Sequence, residues 1–129
     1  MKKFLFLILT LALALTLASA TAEENASDVQ VMIRNGGSFV FAIDDAGTIW
    51  GWGDNTKGQL GHAKMKYLRV PQTVADGLDG HDIADIQCGN ENTVYLMKDG
   101  TVYTSGTASH GTQGLGKNAR HVGQPQQIP

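Results

Sequence analysis

Few side chains in this sequence are of a type and spacing to do chemistry. Histidines stand at 62, 81, 110 and 121, and no two have the i,i+4 spacing that sets a pair of metal ligands on one helical face. Asp79, Asp82 and Asp85 gather around His81. Their oxygens suit calcium, but the spacing matches no calcium loop, so a solvated turn is expected and no metal. Ser38, Ser105 and Ser109 have no base and oxyanion donor that the sequence places beside them, as a serine nucleophile requires. Cys88 is the single cysteine, so no intramolecular disulfide can form. It alternates with Ile86 and reads as a small buried side chain. The glycines of 58–61 and 111–116 would suit a phosphate at a strand–helix junction, but they recur in register with β-turns instead. The sequence therefore predicts no catalytic residue, no cofactor and no metal.

What would position these side chains is a repeat. A shift of 53 residues lays Val31–Gly58 over Ala84–Gly111 without a gap. Ile33 falls on Ile86, Gly36 on Gly89, Gly47 on Gly100, Thr48 on Thr101, Gly53 on Gly106 and Gly58 on Gly111. Matching glycines carry the argument, because each marks a demand of the backbone. Two inserted residues then bring Leu60-Gly61 onto Leu115-Gly116, and Pro71-Gln72 falls on Pro125-Gln126.

Each copy reads as four short strands with no helical period. Gln30–Arg34 and Ile83–Cys88 open the copies. Phe39–Ile43 and Thr93–Met97 are apolar on both faces, as in strands buried between layers. Asp99-Gly100 predicts a two-residue primed turn, and Ala46-Gly47 fills that place in the first copy with a poorer first residue. Thr48–Gly53 and Thr101–Gly106 alternate, setting Trp50 and Trp52 on one face, where an interblade core is expected. A last extended segment enters through Pro71 or Pro125, which restricts it to an edge or a strand start. The fold class is all-β: two four-stranded antiparallel blades of an incomplete propeller.

The stretch from Ile83 to Gly106, and that from Phe39 to Gly61, resemble repeats of the regulator of chromosome condensation family. The resemblance rests on Cys88-Gly89 before the second strand, on DGTVY from Asp99 to Tyr103, and on WGDN..GQLG from Trp52 to Gly61. It covers most of residues 31–129 and implies a β-propeller, a seven-bladed ring in complete members. Phe39 and Asn92 stand where the family often has histidine, and Ser105 replaces the tryptophan that the first copy has at Trp52. Two repeats cannot close a ring, so a fragment, a decayed gene or a protomer of an assembly is implied.

The N-terminus predicts export. Lys2 and Lys3 precede an apolar run from Phe4 to Leu17, and small-x-small sites end at Ala20 and Ala22. The run has 14 residues, short of the roughly 20 that span a bilayer, so no stable membrane span is expected after cleavage. Cleavage after Ala20 leaves eight basic and twelve acidic residues, a net charge of −4. No basic run points to nucleic acid or an anionic membrane. The expected organisation is a signal peptide over 1–20, a tail over 21–30 holding the sequon at Asn25, and two repeats at about 31–78 and 84–129.

The function expected is that of an exported, non-catalytic scaffold that binds an unidentified protein or cell-surface partner through its loops. The candidate contact residues are Asp54, Asn55, Lys57, Gln59, His110 and Gln113. Guanine-nucleotide exchange, known for nuclear members of the family, is not carried over to an exported chain. The alternatives are an enzyme built on a larger propeller assembly and a truncated remnant without independent function. Apolar residues on the outer blade faces also predict self-association or coupling to further repeats.

Overall fold

The computed structural model describes residues 31–116 and 121–129. The expected signal peptide, tail and sequon lie outside these residues. The chain folds as two successive four-stranded meanders. Strands β1 (Met32–Asn35), β2 (Phe39–Ile43), β3 (Ile49–Asp54) and β4 (Tyr67–Thr73) form the first sheet in that order. Strands β5 (Ile83–Cys88), β6 (Asn92–Met97), β7 (Val102–Gly106) and β8 (Val122–Gln127) form the second. Every pairing is antiparallel.

The hairpin between the second and third strands is not the two-residue turn that the sequence predicts. Gly100 N donates to Met97 O and Met97 N donates to Thr101 O, which closes a three-residue loop. Gly47 N to Asp44 O and Asp44 N to Thr48 O repeat this in the first blade. Only the last loop residue is left-handed, with φ of +88° at Gly100 and +72° at Gly47. This is a tight turn followed by a glycine bulge, so the residue before the glycine needs no positive φ and Ala46 fits as well as Asp99.

The prolines sit where the ladder is already broken. Gly51 pairs with Gln72 and Gly53 with Leu68, so Arg69, Val70 and Pro71 bulge opposite Trp52. In the second blade Gly123, Gln124 and Pro125 bulge opposite Ser105. A residue without an N–H costs no ladder bond there, and both strands are sheet edges.

The two sheets pack through opposite faces of the repeat. Phe39, Phe41 and Ile43 line the buried side of β2, whereas Thr93, Tyr95 and Met97 line the buried side of β6. At the 53-residue offset Phe41 corresponds to Val94, not Tyr95. Phe41 meets Tyr95 edge to face with centroids 5.8 Å apart, a favoured aromatic geometry. Leu60, Leu68, Val74, Ile83 and Ile86 complete the core. The second strands are therefore not buried on both sides: Val40 is half-buried and Leu96 is 42% exposed.

Candidate functional site

The seam between the blades is built around the segment that follows β3. Asn55 organises it from within. Its amide nitrogen donates to His62 O and Met65 O, each at 2.6 Å, and its Oδ1 accepts from Leu60 N at 2.9 Å. Gln59 Oε1 accepts from Lys57 N at 2.9 Å. The segment then enters a cleft of the second blade. The Gln59 carbonyl accepts from Thr93 Oγ1 at 2.7 Å and from Ser105 Oγ at 3.3 Å. Gly58 lies so close to the next blade that a Cβ would stand 2.6 Å from Gly123 Cα and 2.8 Å from Val122 O. Only glycine, here at φ +81°, allows that approach.

The hydroxyls of this cleft are the seam residues that the sequence reading passed over. Thr93 and Ser105 correspond to Val40 and Trp52 in the first copy. That exchange of bulky apolar residues for small hydroxyls was the available signal. Tyr95 Oη lies 3.0 Å from Ser105 Oγ, and burial pushes the phenol well above its ordinary range.

Antiparallel topology brings both β3–β4 and β7–β8 loops, with the β1–β2 and β5–β6 turns, to one end of the pair. Gly37 N donates to Gly89 O across that end at 3.2 Å. Of the six loop residues predicted to meet a partner, Asn55, Gln59 and Gln113 are buried and have no surface to offer. The Asn55 and Gln59 side chains serve the loop itself, because polar side chains inside a turn satisfy main-chain groups that water cannot reach. Asp54 and Lys57 are half-buried and His110 is exposed, all at the same end. Lys64 and Lys66 are exposed beside them. Lys57, Lys64, Lys66 and Arg69 fall within 13 residues that contain no acid, in a chain whose net charge is negative.

Turn geometry also corrects the alignment of the two loops. Gly58 N donates to Asn55 O and Gly61 N to Gly58 O; Gly111 N donates to Ala108 O and Gly114 N to Gly111 O. The offset of 53 thus runs on unbroken to Gly114, which takes the place of Gly61, and a single extra residue comes afterwards. Gln113 stands where Leu60 does. Neither of its amide atoms has a hydrogen-bond partner among the described residues.

Trp50 and Trp52 are not between these two blades. They share the face of the first blade that carries Val40 and Ala42, turned away from the second. Both are half-buried. Trp50 Nε1 donates to Asp44 Oδ2 at 2.8 Å, and that bond, with the Thr48 and Ala46 main-chain N–H groups, holds the Asp44 carboxyl below its ordinary value. Trp52 borders a cleft of about 460 Å³ with Gly53, Leu68 and Arg69, rimmed by Ser38 and Tyr67.

His62 Nδ1 lies 3.1 Å from Asp76 Oδ1, and His81 Nδ1 lies 3.1 Å from Asp79 Oδ1. Asp79 Oδ1 also accepts from His81 N, capping a single 3-10 turn at Gly80–Asp82. Among the described residues no three His, Cys, Asp or Glu side chains converge as metal ligands. No helix of the described residues is long and apolar enough to cross a membrane.

Stacked antiparallel meanders joined through opposite faces define a β-propeller repeat protein. The model of the regulator of chromosome condensation (RCC1) repeat matches residues 46–96, and a second model of that repeat matches residues 83–112. The chain belongs to this repeat family. It is 38% identical over 105 residues to the RCC2 protein homolog of Danio rerio, which covers 79% of this chain and 21% of that one. It is 32% identical over 100 residues to the human E3 ubiquitin-protein ligase HERC2, covering 78% of this chain and 2% of the ligase. The fold is similar to that of Prp20p from Saccharomyces cerevisiae, described with its binding to Gsp1p and histones. The TM-score is 0.68 at 16% identity, over 81% of this chain and 26% of Prp20p. The chain thus spans about a fifth or less of the curated relatives it matches.

Proposed function

We propose that the chain is an exported, non-catalytic scaffold whose loop end binds the acidic face of a protein partner. The observation that carries this is the gathering of Lys57, Lys64, Lys66 and His110 on loops at one end of a rigid pair of blades. Loops held on a packed frame are where such scaffolds carry recognition, and a local excess of one charge sets the complementary partner. Similarity to Prp20p, described with two kinds of protein partner, supports protein binding as the mode. Export is supported by Lys2, Lys3, the apolar run to Leu17 and the small-x-small sites at Ala20 and Ala22.

Two measurements test the reading. The secreted protein should have the intact mass of a chain beginning at Thr21 or Glu23; a mass retaining Met1–Leu17 overturns export. Crosslinking of the purified chain on the cells that export it should capture one protein in a salt-sensitive manner. Lys57→Glu with Lys64→Glu should abolish that capture; undiminished capture removes the loop end as the binding surface.

A further inference from the structure

Each blade has a plug on one side and a socket on the other, and one of each is engaged. The engaged plug is Gly58-Gln59, on the side of the blade that buries Phe41, Ile43 and Ile49; the engaged socket is Thr93, Ser105, Gly106, Val122 and Gly123. The repeat offset and the paired bulges map the socket onto Val40, Trp52, Gly53, Leu68 and Arg69 of the first blade. Four of those five residues line the open 460 Å³ cleft. The cleft is therefore the same socket, with no plug in it among the described residues.

The second blade carries the plug without a socket. Turn hydrogen bonds place Gly111-Thr112 where the first blade has Gly58-Gln59. Gly111 keeps the left-handed backbone, at φ +75°, yet none of the described residues lies within 4 Å of where its Cβ would be. Thr112 is exposed, whereas Gln59 is 1% exposed. Around this plug Val94, Leu96 and Val102 stand in the places of Phe41, Ile43 and Ile49. Leu96 is 42% exposed and Ile43 only 5%, the difference that a covering blade makes.

We propose that a second copy of this chain stacks head to tail on the first, its Gly111-Thr112 segment seated in the Trp52–Leu68 cleft and its Val94–Leu96 face on Val40 and Ala42. The contact continues the interblade seam from one chain to the next. It is heterologous, so copies add in one direction and a ring closes when the blade rotation completes a circle. Val40 and Trp52 replace the two hydroxyls of the engaged socket, so this seam is held by apolar area and not by a bond to the plug carbonyl. The plug follows His110 and Asp54 borders the cleft, so this seam adjoins the charged loop end; Lys57 and Lys64, whose charge reversal tests the function proposed above, do not line the cleft, and the two tests fail separately.

Sedimentation velocity of two face-specific variants tests the direction as well as the contact. The purified chain should sediment as concentration-dependent species larger than a monomer. Trp52→Glu spoils the socket and Leu96→Glu spoils the plug face; each alone should be monomeric with an unchanged far-ultraviolet spectrum. An equimolar mixture should form a 1:1 dimer, because each variant keeps the half that the other has lost. A monomeric wild-type chain, continued self-association of either variant, or a mixture that stays monomeric overturns the proposal. If Trp52→Glu does not fold, Arg69→Glu on the exposed rim of the cleft takes its place, with the same outcomes read.

Discussion

The Thr93 hydroxyl donates to the main-chain carbonyl of Gln59 at 2.7 Å, joining residues 34 apart across the blade seam. Thr93 is fully buried and Gln59 nearly so, and the carbonyl's second donor, Ser105, is farther away at 3.3 Å. Thr93→Val keeps the shape and removes the donor. It should cost about 1–2 kcal/mol, the usual penalty for leaving a buried carbonyl short of its bond. Urea unfolding would measure this. Because Ser105 shares the acceptor, Thr93→Val combined with Ser105→Ala should cost more than the sum of the two. Strict additivity would show that the seam does not depend on this carbonyl.

Gly100, at φ +88°, closes the β6–β7 turn with none of the described residues packed against its Cβ position. Gly100→Val should therefore destabilise by about 1 kcal/mol or more through backbone strain alone. Ala46→Asn, one place before the equivalent glycine, should be nearly neutral, since only the glycine is left-handed. Thermal melts of the two variants separate this turn from a two-residue primed turn, in which both positions would matter.

Much of the fold is written at single positions. The continuous apolar run Phe39–Ile43 and the β-rich segment Ile83–Cys88 fall on strands to the residue, and glycines at 36, 47, 53 and 58 recur at 89, 100, 106 and 111. What is not local is not legible. Phe41 and Ala42 are both apolar, and nothing in either says which will meet Tyr95; that depends on how one blade leans on the next. The polarity of Asn55, Gln59 and Gln113 suggested surface, but all three are buried, Asn55 and Gln59 turned inward to bond the main chain of their own loop. An insertion within 112–114 and one after Gly114 look alike in sequence, and only the turn hydrogen bonds distinguish them. Trp52 reads as core because in a ring it would be.

Arg34 binds Asp85 between β1 and β5, with Nη2 at 2.7 Å and Nε at 3.1 Å from the same oxygen. Hydrogen bonds from Gln87 and then Arg34 hold the Asp85 carboxyl below its ordinary value of 3.8. A depressed native pKa adds stability that is present above the unfolded value and lost as the pH falls through the folded one. Asp85→Asn should lower the unfolding midpoint at neutral pH and flatten its acid decline below about pH 4. A variant with an unchanged acid limb would place the linkage elsewhere.

Cys88 is half-buried on β5, and burial pushes its thiol up to about 11. At pH 8 only about one molecule in a thousand then carries the reactive thiolate. Iodoacetamide should modify the native chain far more slowly than the urea-unfolded one, with a rate that climbs steadily through pH 10. Equal rates in the two states would mean that the β5 edge opens readily.

Two glycines at equivalent places in the repeat differ in what lies beside them. Gly58 and Gly111 have similar left-handed backbones, at φ +81° and +75°, and close equivalent turns. An alanine at either pays the same conformational strain, about 1 kcal/mol. At Gly58 the new methyl would also stand 2.6 Å from Gly123 Cα, backbone that cannot move aside without separating the blades. At Gly111 it meets none of the described residues. In dilute solution Gly58→Ala should therefore cost at least about 1 kcal/mol more than Gly111→Ala, within the usual range for overpacking a close contact. The extra loss should come with exposure of the Phe41–Tyr95 contact, visible as increased tyrosine accessibility. Equal losses at the two positions would mean that the blades are not held together through Gly58.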